Sequence, residues 1–221
     1  MREIVAATFV SLDGVMQAPG GPEEDQTGGF RLGGWIVNYG DDVTHRAVME
    51  NFAEPFDLLL GRKTYEIFAA HWPFTGDDGP IAEAFNRATK HVASRSGVAL
   101  DWQNSVSLGD DVVARLAALK REDGPRLLIQ GSGNLIQTLL RHDLIDEIKL
   151  MIFPLVLGSG KRLFGEGTMP AAMRLIDGKI SPSGVVIGRY RRDGEVRPGS
   201  FAMAEPSRAE IARRRKWAAE D

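Results

Sequence analysis

Cysteine is missing altogether from this chain of 221 residues, and with it go disulfides, thiolate metal sites, iron–sulfur clusters and cysteine nucleophiles. An excess of either charge is missing too: 27 Lys and Arg against 30 Asp and Glu leave a formal net charge of −3. No global field therefore draws the protein to nucleic acid or to an anionic membrane, and any anion site has to be local. No run comes near the roughly 18 to 20 apolar residues that a membrane span requires. The start, Met1-Arg2-Glu3 and a short apolar run to Val10, is too brief and too acidic for a signal peptide. Together these absences predict a protein of the reducing cytoplasm, with no nucleic-acid, membrane or metal partner.

Hydrophobic residues make up 43% of the sequence, enough for one large core. Residues 1–195 read as a single domain and 196–221 as a helical C-terminal extension. Glu3 to Val10 is a β-branched run that predicts a buried strand. From Ser11 to Trp35 follows a long glycine-rich loop carrying Met16, Phe30, Leu32 and Trp35, more apolar residues than a disordered linker holds. Helical spacing over 41–53, behind Asp41 and Asp42, predicts a helix. Leu58 to Leu60 then read as a strand, Gly61 as a turn and Thr64 to His71 as a helix. Further along come a helix from Pro80, a short strand at His91, a strand at 99–102 or 105–108, and an amphipathic helix from Asp110.

The stretch LLIQGSGNLIQTLL, residues 127–140, is a strand that breaks at Gly131-Ser132-Gly133 and resumes as a helix near Asn134. A strand at Glu147 to Phe153 and two further strands around SPSG at 181–184 complete the pattern. Strands alternating with helices, then strands alone, predict an α/β fold: a mainly parallel sheet with helices on both faces and an antiparallel C-terminal edge. Past Pro198 a helix capped at Ser207 is predicted, docked through Ile211 and Trp217, with Arg213 to Lys216 as a solvated basic face.

In such sheets ligands sit beyond the carboxyl ends of the strands. Three turns qualify. At Gly131-Ser132-Gly133 a helix N-terminus points outward behind glycines that let a ligand approach the backbone, which suits a diphosphate. At Gly61-Arg62-Lys63-Thr64 a second helix opens with two cations and a hydroxyl. At Ser94-Arg95-Ser96 hydroxyls and a guanidinium suit a phosphate monoester. Tight packing with nothing bound is the structural alternative for each. The dinucleotide fingerprint Gly-x-Gly-x-x-Gly is not met, because Ile136 stands where its last glycine belongs. The Walker loop fails at Leu155 and Arg162.

FVSLDGVM, LLLGRKTYE, HVASRS, LLIQGSGNLIQTLL and EIKLMIFPLVLGSGKRLF, in this order and spacing over Arg2 to Arg192, resemble the dihydrofolate reductase superfamily. The likeness is to its branch of riboflavin-biosynthesis reductases of the RibD C-terminal type. The resemblance implies a three-layer fold around an eight-stranded, mostly parallel sheet, NADPH as cofactor and a homodimer. It implies that Gly61, Arg62, Lys63 and Thr64 hold cofactor phosphates, that Arg62, Ser94 and Arg95 form the 2′-phosphate site, and that Gly131, Ser132, Gly133, Asn134 and Leu135 cradle the diphosphate. It further implies that Ser11 to Gly14 begin the loop closing over the nicotinamide, with Gly158, Gly160 and Lys161 near the substrate mouth.

Folate reductases place a carboxylate at the start of the first helix; here the nearest are Asp41 and Asp42, at a different spacing, so dihydrofolate is not the expected substrate. Asp13 and Asp41 are the candidate catalytic groups, to relay or orient a proton. Trp35 and Phe153 are candidates to line an apolar pocket for a pyrimidine or pteridine-like ring. The expectation is thus an NADPH-dependent reductase of a small heterocycle. A nucleotide-binding protein that keeps the fold without turnover is the alternative.

Overall fold

The computed structural model of the chain describes residues 1–75, 79–202 and 204–220; Met203 and Asp221 of the predicted extension lie outside them. The strands are β1 (Ile4–Ser11), β2 (Phe56–Gly61), β3 (Lys90–Ala93), β4 (Ser105–Ser107), β5 (Arg126–Ile129), β6 (Glu147–Phe153), β7 (Met173–Ile180) and β8 (Val186–Arg192). They form one sheet in the order β4-β3-β2-β5-β1-β6-β8-β7. Neighbours from β4 through to β6 pair in parallel, while β8 pairs antiparallel with both β6 and β7. The mostly parallel sheet with an antiparallel edge is the one the strand–helix alternation predicts. Of the two positions offered for a strand near residue 100, the second is the one used.

The helices are α1 (Asp42–Met49), α2 (Arg62–Ala69), α3 (Pro80–Arg87), α4 (Val112–Arg121), α5 (Gly133–Arg141) and α6 (Arg208–Trp217). Because side chains alternate along a strand, β1 feeds two cores. Ile4, Ala6 and Val10 pack with Leu116 and Leu119 of α4 and Leu135, Ile136 and Leu139 of α5. Val5 and Ala7 pack on the other face with Tyr65 of α2 and Phe85 of α3. Phe9 on that second face joins Trp35, Phe153 and Ala47 of α1. Each fully buried Leu or Ile here contributes about 1.5 to 3 kcal/mol by removal from water.

The extension forms α6 with Ser207 as its cap, the Ser207 hydroxyl accepting from the Glu210 N–H at 3.2 Å. Its predicted docking is corrected: Ile211 and Trp217 remain 38% and 57% exposed. Trp217 instead lies under the Arg213 guanidinium at 4.3 Å, and Glu210 binds Arg213 and Arg214. The helix satisfies itself locally because it has only two large apolar residues, too few for a stripe that needs a partner. Among the described residues no helix is long and apolar enough to cross a membrane.

Candidate functional site

All the parallel strands end at one edge of the sheet, so the three turns picked out by sequence meet there. Strands β3, β2 and β5 are neighbours, with Gly61 in register with Ala93. The Ser94-Arg95 turn therefore adjoins the start of α2, which in turn adjoins the start of α5. Ser132 joins the last two: its hydroxyl accepts from the Gly61 N–H at 2.8 Å and donates to the Thr64 hydroxyl at 2.6 Å.

Of the glycines around Ser132, Gly61 is required by this packing, Gly133 is close to a flexible neighbour, and Gly131 is in ordinary contact. A Cβ on Gly61 would stand 2.7 Å from Ser132 Oγ, one on Gly133 3.1 Å from Met16 Sδ, and one on Gly131 3.4 Å from the Thr64 methyl. Ser132 itself adopts a left-handed conformation, φ 74°, which costs on the order of 1 kcal/mol for a residue with a Cβ and persists because its hydroxyl is held at both ends. The tight-packing alternative thus accounts for Gly61, yet it leaves the helix ends open. Neither α2 nor α5 has a side-chain cap. Their first-turn N–H groups have no acceptor within the helix, and two positive helix ends point out of one small area.

The cations sit around this area. Arg62 is half exposed and pairs with Glu66 one turn on, at 2.8 Å. Lys63 Nζ approaches the Thr27 hydroxyl at 3.4 Å. Arg95 is exposed and has no ion-pair partner among the described residues, while the neighbouring Ser94 Oγ is buried without a hydrogen-bond partner. A hydroxyl without a protein partner beside an unpaired guanidinium suits a phosphate monoester, and the two open helix ends suit a diphosphate.

Asp13 and Asp41 each tie separate segments of the site together through the hydrogen bonds their carboxylates accept. Asp13 Oδ1 accepts from the Ser11 hydroxyl at 2.6 Å and the Leu157 N–H at 3.0 Å, and Oδ2 from the Gly158 N–H at 2.9 Å. The Ser11 hydroxyl foremost, then these backbone donors, hold its carboxyl at about 2. Asp41 caps α1, accepting from Val43 and Thr44 N–H groups, while its other oxygen takes the Ser183 N–H. Its Thr44 backbone bond, followed by Ser183, keeps the carboxyl well below the ordinary range. A carboxylate held ionised by backbone donors has no proton to give near neutral pH.

Through Asp13 the loop after β1 is sewn to the loop after β6. Met16 N–H donates to the Lys161 carbonyl at 2.8 Å and Leu163 N–H to the Gly14 carbonyl at 2.9 Å. Gln17, for which the sequence offers no signal, binds the Asp25 and Thr27 carbonyls and the Lys161 N–H. Gly158 is exposed with its N–H committed to Asp13. Gly160, at φ 123°, has Val15 2.6 Å from where a Cβ would be. Both are fixed parts of this rim.

Trp35 and Phe153 are packed in the core with Phe9 and Ala47. They are 7% and 3% exposed, their rings meet edge to face at 5.4 Å, and Trp35 Nε1 donates to the Gln17 carbonyl. Burying one large ring against another is the better use of so much apolar area. One open space lies nearby: a cavity of about 420 Å³ runs along the sheet beside α1, from Gln130 next to the Gly131 turn to Glu147 at the start of β6. Its polar lining comes from residues that carry no local motif.

Comparison with known proteins agrees with this architecture. The profile of the RibD C-terminal domain matches residues 2–187. The chain is 26% identical over 197 residues to the uncharacterized protein YyaP of Bacillus subtilis (strain 168), covering 87% of this chain and 96% of that one. It superposes with a TM-score of 0.56 on the diaminohydroxyphosphoribosylaminopyrimidine deaminase/5-amino-6-(5-phosphoribosylamino)uracil reductase of Thermotoga maritima, at 15% identity over 87% of this chain and 57% of that one. Dihydrofolate reductase from Enterococcus faecalis, solved in complex with NADP(H), superposes at 0.51 with 14% identity over 86% of this chain and 96% of that one. At these identities the two structures speak for the fold.

Proposed function

The chain belongs to the RibD C-terminal domain family, and from that premise we propose that it is an NADPH-dependent reductase of a small pyrimidine or pteridine-like heterocycle. The observation that carries the reading is the convergence of two uncapped helix N-termini, clasped by Ser132, beside the Ser94-Arg95 turn. The family and the NADP(H) complex of the Enterococcus faecalis enzyme of the same fold support the choice of cofactor.

In this reading the backbone N–H groups of Gly133, Asn134 and Leu135 bind the diphosphate together with those at the start of α2. Arg62, Ser94 and Arg95 bind the 2′-phosphate, and Lys63 adds charge to the same edge. The cofactor, when bound, supplies the hydride. Asp13 contributes rigidity: by holding Leu157 and Gly158 it keeps the rim in one position, which orients the reactants and keeps water out. Asp13, held ionised, has no proton to give at neutral pH, so the proton that completes the reduction is drawn from solvent.

Tryptophan fluorescence titration tests the cofactor. Arg62→Ala and Arg95→Ala should each weaken NADPH about tenfold while leaving NADH almost unchanged, since a charge-assisted contact to the extra phosphate is worth roughly 1.5 to 3 kcal/mol. Equal losses for both nucleotides remove the 2′-phosphate assignment.

We propose further that the protein is a homodimer, built on the antiparallel edge. On one face of β7 and β8, Leu175, Ile180 and Val186 are 55%, 71% and 39% exposed, and the Tyr190 ring lies over Gly188, leaving a flat apolar surface. Such a patch on an edge strand is a surface for another chain. Ile180→Asp should convert dimer to monomer in analytical ultracentrifugation; a wild-type monomer at micromolar concentration ends this part of the proposal.

A further inference from the structure

Two ammoniums from distant parts of the chain meet over the open helix ends. Lys63 is the second residue of α2. Lys161 lies on the loop after β6, and the carbonyl of its neighbour Arg162 comes within 3.7 Å of where a Cβ on Gly133, the first residue of α5, would stand. The turn at 25–27 runs between them, and both reach the same atom on it: Thr27 Oγ1 accepts from Lys161 Nζ at 2.7 Å and from Lys63 Nζ at 3.4 Å. Like charges brought to one hydroxyl repel each other, so the arrangement favours an anion beside it.

Asp25 offsets only part of that charge. Its Oδ2 binds Lys161, while Oδ1 takes the Thr27 hydroxyl at 2.5 Å and the Thr27 N–H at 3.1 Å. Lys63 makes no ion pair among the described residues, its polar side-chain contact being Thr27. An ammonium carries three donors; Lys161 spends two, on Asp25 and Thr27, and Lys63 one. The remaining N–H groups and one net positive charge are left open. Both side chains stand in solvent, that of Lys161 at 47% exposure, so a ligand reaches them without any rearrangement.

Gln17 fixes this geometry from below. It is 4% exposed, its Nε2 donates to the Asp25 and Thr27 carbonyls at 2.9 and 2.8 Å, and its Oε1 accepts from the Lys161 N–H at 3.0 Å. A side-chain amide has two N–H donors and one carbonyl acceptor, and here each is spent on the segments that carry Asp25, Thr27 and Lys161. We propose that Lys161 and Lys63 form one cationic clamp on the diphosphate of a dinucleotide, facing the N-termini of α2 and α5, and that Gln17 is the positioning residue that holds it. The helix ends supply the positive potential that the clamp's single net charge lacks for a dianion. The clamp rests on the nucleotide reading of those helix ends.

Tryptophan fluorescence titration of the full chain tests it with three probes: NADPH, NADH and adenosine 2′,5′-bisphosphate, which keeps the 2′-phosphate and lacks the diphosphate. Lys161→Met should weaken NADPH and NADH by the same factor, about tenfold for one charge-assisted contact, and leave the bisphosphate unchanged. Lys161→Arg should restore most of the loss. Gln17→Met should weaken both dinucleotides about three- to tenfold, yet add less than about twofold once Lys161→Met is present, because it acts through that residue. Thermal melting confirms that each variant is folded. Unchanged dinucleotide affinity in Lys161→Met, or a loss confined to NADPH, overturns the clamp. Losses that add in the double variant overturn the role of Gln17. If the wild-type protein binds neither dinucleotide, the reductase reading falls and the clamp with it, a result seen before any variant is made and so distinct from failure of the clamp alone.

Discussion

The two edges of the parallel sheet treat polar groups in opposite ways. At the edge where strands begin, charges are buried and spent on one another: Asp57 binds Arg2 and, at 3.2 Å, His91, all three less than one-tenth exposed. Arg2 also reaches the Pro125 carbonyl at 2.6 Å. At the edge where strands end, helices start without caps, Ser94 Oγ has no partner and Arg95 has no counter-ion among the described residues. The first edge uses electrostatics to hold the chain together. The second leaves it free for an anion. The cavity beside α1 links them, since it starts at Gln130 and ends among the ion pairs of the first edge.

Substitutions should separate stability from binding along that line. The largest effect is expected at the strand-start edge. Asp57→Ala leaves Arg2 buried without a counter-charge and should cost about 3 to 5 kcal/mol, read from urea unfolding, with NADPH affinity unchanged in the folded fraction. A loss of nucleotide binding in the folded protein would erase the distinction between the edges. Next comes Gly61→Ala, whose methyl would press on Ser132 at 2.7 Å. Parting the α2 and α5 ends should cost roughly 1 to 3 kcal/mol and weaken NADPH about ten- to a hundredfold. Should the affinity survive, the clasp is packing alone.

The smallest effect concerns acid. Asp13 is held at about 2, against an ordinary 3.8. The folded protein therefore binds fewer protons than the unfolded chain in that window. The stabilisation is complete above 3.8 and is lost as pH falls toward about 2, and after solvent screening it amounts to about 1 kcal/mol. Asp13→Asn should flatten that acid limb in unfolding curves collected from pH 2 to 5. An unchanged limb would mean that the rim is held by its backbone bonds without the carboxylate.

Much of the fold was legible because it depends on short-range patterns. β-Branched runs, helical spacing and glycine turns mark β1, β2, β5, α2 and α5 within a residue or two of where they lie. The glycines at 61, 131 and 133 were legible as turns, though not as the places where Ser132, Thr64 and Met16 fit. Asp13 and Asp41 have near partners in Ser11 and Thr44, but their ties to Gly158 and Ser183 span 145 and 142 residues and could not be read from the sequence. Trp35 and Phe153 carried no mark distinguishing a pocket wall from a core.

By itself, then, the sequence determined which segments are strands and helices, where the chain turns at strand ends, and that no strong net field surrounds the protein. Backbone propensity and side-chain period are set by near neighbours. Tertiary structure alone decided which polar groups are satisfied and which are left open, because a hydrogen bond needs its donor and acceptor within about 3 Å, and only packing brings together residues a hundred positions apart.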